Sequence, residues 1–151
     1  MKKLFEDRLQ RHKLIGAIKQ PKGIEQAIKY KDNLAAVILM TGNVLTVKQY
    51  VDILHQERIP VILHLEKIDG IQYDPYGVQF ISDYVKPFAI VTTKPNLTKR
   101  FKAKGLFVIQ RVFLIDTEVY DQLSDKIDEL PVDMIEIMPC RATDFIEKLA
   151  A

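Results

Sequence analysis

"FVIQRVFLI", residues 107–115, is an apolar run interrupted at its centre by Gln110 and Arg111. Its neighbours decide what that interruption means. Similar runs rich in Ile and Val occur at LIGAI (14–18), AAVILMT (35–41), PVILHL (60–65), FAIVTT (88–93) and MIEIM (134–138). Most lack polar alternation, as strands covered on both faces do. Helical spacing fills the gaps. Val47, Tyr50, Val51 and Leu54 fall at i, i+3, i+4 and i+7, and Thr46 with Gln49 has the form of a capping box. Asp74-Pro75 reads as an N-cap followed by a first-turn proline, and Gly105 as the residue just past a helix end. Ile24, Ala27 and Ile28 mark the first helix of the alternation, and Phe145, Ile146 and Leu149 a short last one.

Regular β/α alternation with short loops means a parallel sheet with right-handed crossovers. An open doubly wound sheet and a β/α barrel both satisfy it. The polar residues inside the strands favour the barrel. His64, Gln110, Arg111 and Glu136 interrupt otherwise apolar runs. A barrel lumen accepts such side chains when they point at a ligand, whereas an open sheet buries them under helices. The expected fold is a β/α (TIM-type) barrel-like parallel sheet in one domain spanning residues 1–151, with residues 1–13 as a charged, helix-like extension.

The chain has 151 residues, 48% hydrophobic and 28% charged, with a formal net charge of +2. These values suit a globular domain. The single Cys140 excludes an internal disulfide, and no Cys/His cluster has zinc spacing. Residues 1–13 lack the apolar core of a signal peptide, and the uncharged stretch 33–47 is too short to span a bilayer. The expectation is a cytoplasmic protein with no membrane partner, no metal and no cofactor.

Ligands of parallel β/α proteins bind beyond the carboxyl ends of the strands. Those ends carry Thr41-Gly42-Asn43, His64-Leu65-Glu66, Thr92-Thr93-Lys94, Gln110-Arg111 and Glu136. Hydroxyls, amides and cations in that mixture suit a small phosphorylated or carboxylated polyol. Each has a plainer reading: a turn glycine at 42, a core histidine at 64, an internal ion pair between Arg111 and Glu136. Lys94 has fewer structural excuses, because the following Pro95 cannot donate to the sheet. Beyond it, KPNLTKRFKAK (94–104) holds Lys99, Arg100, Lys102 and Lys104 without an acid. That helix is a candidate contact for nucleic-acid phosphates, or simply a solvated face. Residues 116–136 carry eight acidic residues against Lys126 alone.

The segments LMTGNVLTVKQYVDIL (39–54), VILHLEKIDGI (61–71), IVTTKPNLTKRFKAKG (90–105), VIQRVFLIDT (108–117) and DMIEIMP (133–139) together resemble the glycerol-3-phosphate-responsive antiterminators of bacteria. The resemblance implies a barrel-like, non-enzymatic regulator. It would sense glycerol 3-phosphate, bind leader mRNA and prevent premature termination in glycerol-utilisation operons. It places Thr41, Gly42, His64, Thr93, Lys94, Gln110, Arg111 and Glu136 in the effector pocket; with an RNA target, the acid-free run makes Lys99, Arg100, Lys102 and Lys104 the candidate RNA contacts. Asn43 and Glu66 stand where aspartates are usual, and Cys140 where glycine is usual. The family pattern also continues for one or two further β/α units with a Gly-rich loop, whereas the glycines here are scattered. The expectation is therefore weakened or absent effector binding in this form, with homodimerisation as one way to complete the sheet. Two other functions fit the residues: a Schiff-base lyase or aldolase using Lys94 with Glu66 or Glu136, and a degenerate barrel serving only as an interaction module.

Overall fold

A computed structural model describes residues 1–139 and 149–150 of the chain. Cys140 and the helix expected around Phe145 and Ile146 lie outside the described residues. Six parallel strands form one sheet: β1 (Ile15–Ile18), β2 (Ala36–Leu39), β3 (Val61–His64), β4 (Ala89–Thr92), β5 (Phe107–Phe113) and β6 (Met134–Met138). Their order in the sheet is their order in the chain. A doubly wound sheet would reverse direction at a switch point, and this one never does. The result is a curled arc of a β/α barrel, with helices along its outer side.

The helices are α1 (Lys2–His12), α2 (Gly23–Lys29), α3 (Val47–Gln56), α4 (Pro75–Gln79, continuing in wider π turns over Phe80–Val85), α5 (Pro95–Ala103) and α6 (Thr117–Lys126). Asp74 caps α4 as expected, its Oδ1 accepting from the Gly77 N–H at 2.8 Å. Gly105 adopts φ 83°, the left-handed conformation that suits glycine just past α5. The Thr46–Gln49 capping box does not form. Thr46 has helical dihedrals, and its hydroxyl turns back to accept from the Asn43 N–H at 3.0 Å. Asn43 organises this turn instead, its Oδ1 accepting from Leu45 N–H at 2.8 Å.

Two apolar layers follow from strand alternation. The larger lies between sheet and helices and includes Val37, Leu39, Val61, Leu63, Ile90 and Val108 with Val51, Leu54 and Phe101 from the helices. The smaller fills the concave face: Ala36, Ile62, Ala89, Val91 and Ile109. Here α1 has an unexpected role. Its Phe5 is fully buried against Phe88 and Phe107, at ring-centroid distances of 5.0 and 5.5 Å. Small Ala36 and Ala89 leave room for the three rings. The charged extension thus closes the bottom of the arc with an aromatic plug, leaving the carboxyl ends of the strands as the open side.

Candidate functional site

Alternation also settles which strand-tip side chains can meet. Ile62 and Ile109 belong to the concave layer, so His64 and Arg111, two residues on, face the same way. The register sets Arg111 opposite Glu136. The three side chains are linked: Arg111 Nη1 lies 2.9 Å from His64 Nε2, and Arg111 Nη2 donates to Glu136 Oε1 at 2.8 Å. His64 and Arg111 have side chains only 4% and 10% exposed. A guanidinium cannot accept, so His64 Nε2 is the acceptor and the imidazole proton sits on Nδ1.

Glu66 extends the cluster. It follows β3 by one helical-turn step, and its Oε2 lies 3.4 Å from His64 Nδ1. Its Oε1 accepts from the Thr92 hydroxyl, from the Thr93 N–H at 2.9 Å and from the Thr93 hydroxyl at 3.1 Å. The carboxylate therefore ties the tip of β4 to that of β3. Partial burial works to raise its pKa, but these hydrogen bonds outweigh it and hold the group below the ordinary glutamate value, ionised. His64 goes the other way. Burial, then the adjacent Arg111 charge, depress its pKa, so it is neutral at pH 7. Two buried donors at the site, His64 Nδ1 and Arg111 Nε, have no hydrogen-bond partner. Buried polar atoms are rarely left so, and a ligand is one thing that satisfies them.

The remaining expected pocket residues are placed differently. Gln110 shares its side of β5 with Val108, the helix-facing side, and is 5% exposed. Its amide donates to the backbone carbonyls of Thr92 and Arg111 at 3.3 and 3.0 Å, and it lines a cavity of about 210 Å³ with Val119 and Leu123. It braces the wall of the barrel. Gly42 adopts φ 114°, and a Cβ there would press on Thr46 and the Tyr50 ring at 3.2 Å, so the turn itself requires glycine. That turn joins the β2 and β3 tips, with Val44 N–H donating to the Asp69 carbonyl at 2.9 Å. Thr41 is half-buried at the end of β2 and makes no hydrogen bond to the cluster among the described residues. Lys94 is exposed and lines a groove of about 480 Å³ with Glu66, Gln72, Tyr73, Asn96 and Leu97. Glu66 is the residue shared between this groove and the buried cluster.

Of the four cations on α5 and its C-terminal cap, Lys99, Arg100, Lys102 and Lys104, two have intramolecular partners. Arg100 donates to the Tyr73 carbonyl at 2.7 Å, and Lys102 pairs with Asp133. Lys99 and Lys104 are exposed. Glu66 and Thr92 stand at the strand tips but outside the pocket set that the family resemblance implied. The signal for Glu66 was its position two residues past His64, and Thr92 carries none, since its hydroxyl acts only through Glu66 and the Lys94 N–H. Among the described residues no His/Cys/Asp/Glu group could hold a metal ion, and no helix is long and apolar enough to cross a membrane.

Known proteins place this arrangement. The chain is 24% identical over 131 residues to an uncharacterized Escherichia coli (strain K12) protein, YgcP, covering 87% of this chain and 68% of that protein. Among solved structures, it is similar to a glycerol uptake operon antiterminator regulatory protein from Listeria monocytogenes, with TM-score 0.80 and 24% identity over 90% of this chain and 72% of the other. A glycerol uptake operon antiterminator-related protein from Thermotoga maritima gives TM-score 0.77 and 21% identity, over 89% and 76%. At such identities these two structures speak for the fold. A family profile described as glycerol-3-phosphate responsive antiterminator matches residues 14–151. With that profile spanning nearly the whole sequence, the chain belongs to the glycerol-3-phosphate responsive antiterminator family.

Proposed function

We propose that this chain is a glycerol-3-phosphate-responsive regulator that binds leader mRNA and promotes antitermination of glycerol-utilisation genes. The observation carrying this reading is the half-buried His64–Arg111–Glu136 cluster with Glu66, at the open end of the barrel arc in a member of this family. Its donors and acceptors converge where β/α barrels bind small molecules. The cluster ties β3, β5 and β6 together, so an effector that engages it shifts the population of strand-tip loop conformations, and with it RNA affinity. Lys99 and Lys104 are the best candidates for RNA phosphates, because Arg100 and Lys102 are engaged within the protein. The family is regulatory, and the exposed setting of Lys94 lacks the desolvation that a Schiff-base lysine usually requires.

Calorimetric titration of the 151-residue chain with glycerol 3-phosphate tests the effector, including the expectation of weakened binding. Filter binding of a glycerol-operon leader RNA tests the target. The double variant Lys99→Glu/Lys104→Glu should lower RNA affinity and flatten its salt dependence. Unchanged affinity and slope would remove α5 from the RNA interface.

A further inference from the structure

Charge separates the two halves of the candidate site. In the half-buried cluster, the carboxylates of Glu66 and Glu136 face the single guanidinium of Arg111, and His64 is neutral. The cluster is therefore net negative and has no spare cation for a phosphate. It does have open hydrogen-bonding capacity suited to alcohols. Glu66 spends Oε1 on Thr92 and Thr93, and its Oε2 lies 3.4 Å from His64 Nδ1. Glu136 spends Oε1 on Arg111, leaving its second oxygen open. His64 Nδ1 and Arg111 Nε are buried donors without partners. A hydroxyl is both donor and acceptor, so one hydroxyl can accept from His64 Nδ1 while donating to Glu66 Oε2. A second can donate to Glu136. In the adjoining groove, which shares Glu66, stands the exposed cation Lys94.

We propose that the His64–Glu66–Arg111–Glu136 cluster reads the hydroxyl groups of the effector, while Lys94 in the adjoining groove holds its phosphate. This rests on the reading of glycerol 3-phosphate as effector and divides its recognition between two sets of residues. Glu66 and Glu136 determine specificity for the polyol end; Lys94 supplies affinity for the phosphate end.

Isothermal titration with glycerol 3-phosphate and with n-propyl phosphate, the same ester without its hydroxyls, separates the two roles. The wild-type chain should prefer glycerol 3-phosphate by at least about tenfold, since charged hydrogen bonds to hydroxyls are lost with the analogue. Glu66→Gln and Glu136→Gln should each narrow that preference several-fold without weakening n-propyl phosphate, and Glu66→Gln, which removes a like charge from the Lys94 groove, should bind that ester at least as well as wild type. Glutamine keeps an acceptor for Thr92 and Thr93 or for Arg111, and melting curves check that each variant folds. Lys94→Gln should weaken both esters by the same factor and leave the preference intact. Equal wild-type affinities for the two esters overturn the proposal while sparing a phosphate-ester effector site. So do carboxamide variants that lose both esters alike, or a Lys94 variant that changes the preference. If neither ester binds, the effector reading itself falls, and this assignment with it.

Discussion

His55 and His64 share a constraint: each presents Nε2 as an acceptor to a fixed donor. His55 Nε2 accepts from the Val61 N–H at 3.3 Å, and His64 Nε2 from Arg111. A proton on either nitrogen would break that bond, and for His64 it would also face a guanidinium. Burial is the largest cause of a lowered pKa for both. In the unfolded chain they titrate near the ordinary value of 6.5. Between that value and the lower folded one, the unfolded state binds more protons, so stability rises with pH across that window. Stability is thus complete above about pH 6.5 and declines as the pH falls below it. Urea midpoints measured from pH 8 to pH 5 should show this decline, and His64→Gln should shrink it. A midpoint constant over that range would contradict the assignment of neutral, buried histidines. Gly77 carries a different constraint, steric rather than electrostatic. A Cβ there would collide with the backbone carbonyl of Gln72, which cannot swing away as a side-chain tip does. Gly77→Ala should cost about 1–3 kcal/mol, at about 2–4 °C in Tm per kcal/mol for a chain of this size. A melting curve that matches wild type would mean that the 72–77 turn relaxes freely.

At the scale of elements, α1 shows why some parts of the sequence were legible and others not. The strands announce themselves by short runs of Ile and Val, and Asp74-Pro75 announces the start of α4 by local chemistry alone. The sequence 1–13 offers charges at most positions, with Phe5 and Leu9 as the apolar pair one turn apart. Such a sparse stripe is compatible with a solvated helix. What makes it a plug is non-local: the space left by Ala36 and Ala89, and the rings of Phe88 and Phe107. No window of α1 records those partners. The same non-locality explains Gln110. Its run reads as a polar interruption of a strand, and only the pairing of Thr92 with Gln110 and Arg111 with Glu136 reveals that the two adjacent residues face opposite layers. Removing the Phe5 ring should cost about 3–5 kcal/mol, because the cavity is closed on all sides. Chemical denaturation of Phe5→Ala reads this directly. A loss below about 1 kcal/mol would mean that α1 rests on the arc without closing it.

Across the whole molecule, burial is uneven along the chain, although the sheet is continuous. The largest fully buried side chains run from Phe5 to Phe101 and include Leu39, Leu54, Ile62, Leu63 and Ile90. Beyond Ile109 the burial thins. α6 buries only Leu123, every described residue of β6 keeps some exposure, and Phe113 and Ile115 are 50% and 73% exposed. Backbone pairing to β5 still holds β6 in register from Met134 to Met138. The candidate site straddles this gradient, with His64 and Glu66 on the deeply buried half and Arg111 and Glu136 on the lighter one. Local opening free energy follows buried apolar contact more than hydrogen-bond count, since exposed ladders exchange by small fluctuations. Amide hydrogen exchange should therefore find β2, β3 and β4 opening only with global unfolding. Amides of α6 and β6 should open at a cost at least about 1.4 kcal/mol lower, tenfold in exchange rate. Uniform protection across all six strands would contradict that division. If the Arg111–Glu136 link is completed by an effector, saturating glycerol 3-phosphate should raise protection in β6 more than in β2, because only there is opening cheaper than global unfolding.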